Sequence, residues 1–476
     1  MRLISLSRRR WAGWTGAAVA LICCFTILYR ATPARWLTLH GEAFLAQGRY
    51  TRGLAQYEQA ALLNPVDPSL RVRLARLYAA KQNFSVAKAH LEQAVRLDPQ
   101  YLPALILAAE ISQREDPGAG LIAWQDVLAV DATNKVARHG LGECLVALAH
   151  FDAAEEVYAS LAGEEPEDDS ALLALGQLES ISQPEAALTH LRLVAKGKDQ
   201  NLAAQAAELL STMEQAQGES DLAYAAALIG SALLRLDQPA LAQAAFAQAV
   251  RCRPDYYDAL AYEALAIQER GQNGPAEALL RGLLREVPDH PLSHYVLALT
   301  LRAQARLPEA VEEFRRVIAL SGDDPTLLSD LGQTYAMAGD VAEAEEQFRR
   351  AASLRPGGFQ EVLTLAHFYL DRGFRVDRGL EAASVAVALR PDDAEALDLL
   401  GWALHLNGRS AEAKVTLEEA LKRAPDLPAA FYHLGVVLEK MGDRRGAAAA
   451  YERAVDLANA GPILEHALNA QRSLVR

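Results

Sequence analysis

The sequence predicts an all-α fold, an α-solenoid of about twelve helical hairpins preceded by one transmembrane helix. Three observations predict it. A Gly or Ala returns in a single phase from Gly41 to Gly435, with ten of the eleven steps 33 to 35 residues long; a second small residue and then a bulky one follow each at fixed offsets; and nineteen uncharged residues stand between Arg10 and Arg30. A chain of 476 residues, 51% hydrophobic, has ample apolar material to bury, so wholesale disorder is excluded.

The N-terminal element comes first. Residues 11–29 would reach about the thickness of a bilayer's hydrocarbon core as a helix at roughly 1.5 Å per residue. Trp11, Trp14 and Tyr29 stand at its two ends, where amphipathic rings favour the headgroup zone. Arg2, Arg8, Arg9 and Arg10 precede it and only Arg30 and Arg35 follow closely, so the positive-inside bias places residues 1–10 as a cytoplasmic tail. The expectation is a single-pass inner-membrane protein with 11–29 as a signal-anchor helix and the remainder extracytoplasmic, in the periplasm. A cleaved signal peptide is the rival, but its apolar region is normally shorter, and the nearest small-x-small site here, Thr32-Pro33-Ala34, contains a proline. Leu21-Ile22-Cys23-Cys24 faintly resembles a lipoprotein box, with Cys where a small residue should precede the acceptor.

The repeats follow. The first small residue stands at Gly41, Ala75, Ala109, Gly142, Gly176, Gly230, Ala264, Ala298, Gly332, Ala366, Gly401 and Gly435. The second stands about twelve residues on, and four further comes a bulky side chain such as Tyr57, Trp124, Tyr158, Phe246, Phe314, Phe348 or Tyr451, with Ala383 the exception. In the ninth repeat Leu328, Leu331 and Tyr335 form one helical stripe, Phe348 and Ala351 mark a second, and Gly339-Asp340 separates them. Each repeat therefore reads as a helical hairpin whose small residues let two axes approach closely. One hairpin cannot bury both faces, so stability comes from stacking neighbours along a line. Prolines such as Pro65, Pro99, Pro288, Pro356, Pro391 and Pro425 mark the boundaries.

The separation of Pro166 from Pro254 leaves about twenty surplus residues, read as one additional helix over 200–219, a packed spacer or a hinge. Repeats 1–5 then occupy 34–199 and repeats 6–12 occupy 223–459. After Gly461-Pro462, residues 461–476 read as a capping helix over the last repeat.

This pattern resembles the tetratricopeptide repeat, carried almost whole by Leu328, Leu331, Gly332, Tyr335, Ala344, Phe348, Ala351 and Pro356. The resemblance implies a right-handed solenoid whose concave wall is built by the first helix of each hairpin. It places Tyr295, His367, Asp398, Trp402, His405 and Tyr432 on that wall as candidate peptide-binding residues. Exposed aromatics there favour binding, whereas Trp402 and Tyr432 could equally fill gaps between repeats. A carboxylate clamp of Lys and Asn is not matched: the corresponding positions hold Ser329, Gln333, Asp398 and Trp402.

Residues 36–476 carry a formal −20, six units beyond the whole chain's −14, which repels phosphate backbones and argues against nucleic acid. No GxxxxGK[ST], HExxH or GxSxG occurs, and Gly140-Leu141-Gly142 lacks the third glycine and the preceding strand of a dinucleotide loop. His290 and His294 are four apart, but Pro291 opens the helix between them, so no shared metal-binding face is expected. Cys144 and Cys252 read as packed thiols more than two repeats apart. The expectation is no enzyme, no cofactor and no metal, but a membrane-anchored scaffold that binds protein or peptide partners during assembly of an envelope complex. A structural component of a polysaccharide-export or secretion machine would leave the same trace.

Overall fold

A computed structural model describes residues 33–475; the expected tail at 1–10 and span at 11–29 lie outside the described residues. Among those described, every regular element is a helix, and no helix is long and apolar enough to cross a membrane. The helices pair as hairpins: α1 (33–46) with α2 (Tyr50–Leu63), α3 (Pro68–Ala80) with α4 (Phe84–Leu97), α5 (Leu102–Glu115) with α6 (Pro117–Val130), α7 (Lys135–Ala147) with α8 (Phe151–Glu164), and α9 (Asp169–Ser182) with α10 (Pro184–Val194). A single helix, α11 (Gln200–Gln217), precedes seven more pairs. These are α12 (Leu222–Arg235) and α13 (Pro239–Cys252), α14 (Tyr257–Glu269) and α15 (Asn273–Glu286), α16 (Pro291–Ala303) and α17 (Leu307–Ser321), and α18 (Pro325–Ala338) and α19 (Val341–Leu354). Then follow α20 (Phe359–Asp371) and α21 (Val376–Leu389), α22 (Ala394–Leu406) and α23 (Ser410–Arg423), α24 (Pro428–Lys440) and α25 (Arg444–Leu457), and a closing helix α26 (Pro462–Val475).

Local chemistry sets the ends. Asp67, Asp116 and Asp324 each cap a helix by accepting from first-turn amides, and each is followed by a proline whose missing N–H costs nothing there. The turn inside a hairpin needs one left-handed residue. Gly339 supplies it at φ 88°, but Gln82, Ala149, Asp237 and Ala305 hold the same conformation at φ 55° to 61° despite their Cβ atoms. The next amide explains it: Asn83, His150, Gln238 and Arg306 each donate back to a carbonyl five residues earlier at 2.8–3.0 Å, closing the preceding helix.

Small residues are small because a ring fills the space beyond them. A Cβ on Gly142 would meet the Tyr158 ring at 2.5 Å, one on Gly435 the Tyr451 ring at 2.5 Å, and one on Gly230 the Phe246 ring at 3.0 Å. Ala75, Ala109, Ala264, Ala298 and Ala366 are fully buried at the same position. Each buried ring contributes roughly 1.5–3 kcal/mol through lost apolar exposure.

The chain divides into two compact units, Met1–Ile111 with Asp392–Arg476, and Ser112–Pro391. The extra helix, with five hairpins before it and seven after, falls within the second of these. Leu188 and Leu191 of α10, Leu209 and Met213 of α11, and Leu233 of α12 bury in one continuous cluster, so α11 lies inside the second unit with no break in packing at either side.

In the first unit, residues 405 apart in sequence meet. The Thr51 amide donates to Asp456 Oδ1 at 2.7 Å, and the Thr51 hydroxyl donates to the same oxygen. Arg52 forms a two-pronged bridge to Glu452 at 2.5 and 2.9 Å. Lys81 Nζ donates to the carbonyls of Val455, Asp456 and Ala458 at 2.9, 2.7 and 2.6 Å, and lies 4.4 Å above the Tyr50 ring. These contacts are caps supplied in trans. Arg49, the residue before α2, offers no side-chain cap, and Asp456 takes its place; the final carbonyls of α25 point at Lys81. Burial lowers the Lys81 ammonium to about 8, partly offset by Asp456.

Candidate interaction surface

Four of the six wall candidates assemble in the first unit. Asp398, Trp402 and His405 are spaced i, i+4, i+7 along α22, one stripe of that helix, and Tyr432 stands on α24, the first helix of the next hairpin. The helix periodicity thus aims the first three at the equivalent face of α24. Tyr295 on α16 and His367 on α20 belong to the second unit.

Trp402 is held between two imidazoles. Its ring stacks on His433 at 4.5 Å between centroids, interplanar angle 13°, and on His405 at 5.4 Å, angle 19°. Asp398 is buried, 3% exposed, and so stands beneath the surface; His433 Nδ1 donates to its Oδ1 at 2.8 Å. That bond fixes the imidazole plane and with it the stack. His405 shares a hydrogen bond of 3.1 Å between Nδ1 and Ser410 Oγ, and burial, with Lys440 and His433 nearby, holds its pKa below the usual histidine value. Tyr432 lies 5.6 Å from the His433 ring and 5.7 Å from that of His466 on α26, with its hydroxyl pKa raised by burial and by Glu439. Trp402 and Tyr432 remain half-buried, so part of each ring faces outward.

The two candidates of the second unit are engaged locally. Tyr295 donates to Asp330 Oδ2 at 3.1 Å and packs edge-on to Phe314 at 6.0 Å, and burial pushes its hydroxyl up to about 12. His367 Nδ1 lies 3.7 Å from Asp371 Oδ2 on the next turn.

His433 and His466 escaped the sequence reading, although a signal existed. His433 follows Asp398 by 35 residues and His466 follows Tyr432 by 34, one repeat in each case, so stacking neighbours at equal phase would have found both. Tyr295 and Asp330 obey the same rule at 35. His290 caps α16, accepting from the Ser293 amide, while His294 Nδ1 meets Glu313 at 2.5 Å and its Nε2 donates to Pro288 O at 2.8 Å, so the two rings serve different partners. Chemically, the Trp402 cluster is a preorganised aromatic surface with fixed hydrogen-bonding edges, suited to gripping an apolar or aromatic anchor.

The sequence profile of the tetratricopeptide repeat family matches residues 38–102, 263–325, 295–359 and 407–462. The chain is a tetratricopeptide repeat protein. Among curated proteins, this tetratricopeptide protein is similar to a TPR repeat-containing protein of Pseudomonas aeruginosa, 28% identical over 151 residues, covering 32% of this chain and 25% of that one. It is also similar to cellulose synthase operon protein C of Xanthomonas axonopodis pv. citri, 26% identical over 424 residues, covering 84% of this chain and 28% of that protein. The matches thus span about a quarter of the length of these curated relatives. Among solved structures, yeast Tom70 is 18% identical with a TM-score of 0.39, covering 93% of this chain and 95% of that one.

Proposed function

We propose that this tetratricopeptide protein is a membrane-anchored scaffold that holds a protein segment against the first-helix wall, at Trp402 and Tyr432, during assembly of an envelope complex. The observation that carries it is the outward part of the Trp402 ring, fixed between His405 and His433 and steadied by buried Asp398. A fixed indole loses little freedom when a guest docks, so the wall gives affinity at low ordering cost. Residues 11–29 are read as the anchor, with residues 1–10 in the cytoplasm and the repeats outside. Affinity purification after crosslinking, comparing wild type with Trp402→Ala plus Tyr432→Ala, tests the wall: an unchanged partner set sinks it. Exposed Cys252 tests the topology. A membrane-impermeant maleimide on intact spheroplasts labels it if the repeats lie outside and leaves it unlabelled if they face the cytoplasm.

A second reading is favoured by the similarity to cellulose synthase operon protein C over 84% of this chain. There the scaffold is a structural part of a polysaccharide-export machine. Loss of exported polysaccharide on deletion, with partners drawn from one export complex, selects it over general assembly.

A further inference from the structure

Ala34 at the start of α1 buries with Ala60 and Ala61 near the end of α2, so the first turn of one helix lies beside the last turn of the other. At this end of the first hairpin the neighbouring side chains turn outward. Trp36 and Leu39 are 57% and 56% exposed, and Leu62 and Val66 are 79% and 67% exposed. Along α1, Trp36, Leu39 and Ala43 recur at i, i+3, i+7, an apolar stripe opposite the one of Ala34, Leu37 and Gly41 that packs on α2. His40 packs on the Trp36 ring at 3.7 Å between centroids and so steadies it. The last hairpin has no such open side, because Ala467 of α26 buries against Ala454 and Val455 of α25. No described residue covers the Trp36 stripe in that way. A contiguous apolar surface left open marks a contact with something outside the fold.

Two observations name the occupant. The first is distance along the chain. With residues 11–29 read as a span, Tyr29 and Trp36 are seven residues apart, and a fully extended connection of that length reaches at most about 25 Å. The hairpin end therefore cannot stand further than that from the hydrocarbon core. So short a tether presents lipid to the patch at a high effective concentration, whereas a second copy or a soluble partner must arrive by diffusion. The second observation is charge. The acids between residues 33 and 67 are Glu42, Glu58 and Asp67, and each is engaged within the fold, by Arg73, by the Tyr78 hydroxyl and by the Ser69 amide. Arg35 stands exposed beside Trp36, with Arg30 five residues before it. The acidic body of the chain is repelled by anionic headgroups, and this end is attracted to them. Tryptophan favours the same headgroup zone.

We infer that this end of the first hairpin docks on the bilayer surface, with Trp36, Leu39, Leu62 and Val66 in the headgroup zone and Arg35 against lipid phosphate. The inference rests on the reading of residues 11–29 as the anchor and adds an orientation to it: the hairpin meets lipid where α1 starts and α2 ends, and carries its Gln47 turn away from the membrane. The test uses the full chain reconstituted in vesicles of phosphatidylcholine and phosphatidylglycerol. Benzoylphenylalanine is placed at Leu62 or, at the other end of the same hairpin, at exposed Gln47, and the adducts formed on irradiation are identified by mass. The Leu62 probe yields phospholipid adducts and the Gln47 probe does not. Trp36→Glu plus Leu39→Glu lowers the lipid adducts at Leu62 about tenfold, the effect of withdrawing two apolar side chains from the interface. The melting temperature of that variant is unchanged, because both side chains face outward. Alkaline carbonate extraction of the same vesicles reads the anchor separately. A chain that stays with the membrane yet gives no lipid adduct at Leu62, or gives equal adducts at Leu62 and Gln47, overturns the inference and leaves the anchor standing. Adducts from Leu62 to a second copy of the chain overturn it as well, as do lipid adducts undiminished by Trp36→Glu plus Leu39→Glu. Release of the chain by carbonate overturns the anchor reading, and the inference with it.

Discussion

Replacing Asp456 with alanine tests the capping in trans that joins α2 to α25. The Asp456 carboxylate accepts both the amide and the hydroxyl of Thr51, the amide at 2.7 Å, and is only 8% exposed. Arg49 cannot substitute, since it contributes no cap. Losing an N-cap costs about 1 kcal/mol, and hydrogen bonds to a buried charge contribute about 1.5–3 kcal/mol, so a combined loss of about 2 kcal/mol is expected for Asp456→Ala. That free energy corresponds to roughly thirty-fold faster exchange of the amides at the start of α2. Hydrogen exchange with mass spectrometry, resolved to Thr51–Leu54, reads it directly, and the first turn of α18, capped by its own Asp324, is the internal control. Unchanged protection at Thr51–Leu54 would refute the capping argument. Equal loosening of α18 would show that the whole fold, not the cap, had been weakened.

Other consequences are equally concrete. Because Lys81 titrates near 8 when folded and near 10.5 when free, the folded state binds fewer protons between those values. By linkage its contribution to stability therefore rises with pH across that window. Urea midpoints of wild type relative to Lys81→Met should climb from pH 8 to 10.5, and a falling difference contradicts the sign. Gly435→Ala would press a methyl against the fully buried Tyr451 ring and should lower stability by about 1–3 kcal/mol, whereas Gly163→Ala, with open space around it in α8, should raise it by up to about 1 kcal/mol. Denaturant titration decides both. Cys144 is buried, which pushes its thiol up to about 12, and Cys252 is exposed. Peptide mapping after brief maleimide treatment should find label on Cys252 and not on Cys144 in the folded chain.

The hairpins were legible because their packing imposes a size limit at one phase. Gly142, Gly230 and Gly435 cannot carry a Cβ without meeting the ring supplied by the partner helix, so the sequence must repeat there. The phase also relates each first helix to the next, which is why Asp398 and His433, one repeat apart, could have been paired. It carries no information about which repeats meet across hundreds of residues. Thr51 with Asp456 and Lys81 with the end of α25 are ordinary surface residues in sequence, and only the three-dimensional packing of the first unit reveals them as caps. Left-handed Ala149 and Asp237 are invisible for a related reason, since the closing hydrogen bond rather than the side chain selects the conformation.

The claim on which the functional account turns is that guests meet the first helices of the hairpins. Benzoylphenylalanine placed at Tyr432, on the α24 wall, and at Val415, 66% exposed on the second helix α23, puts two photo-crosslinkers on different faces of adjacent repeats. Irradiated in cells, the Tyr432 probe should capture a partner and the Val415 probe should not. Capture from Val415 alone would contradict the account.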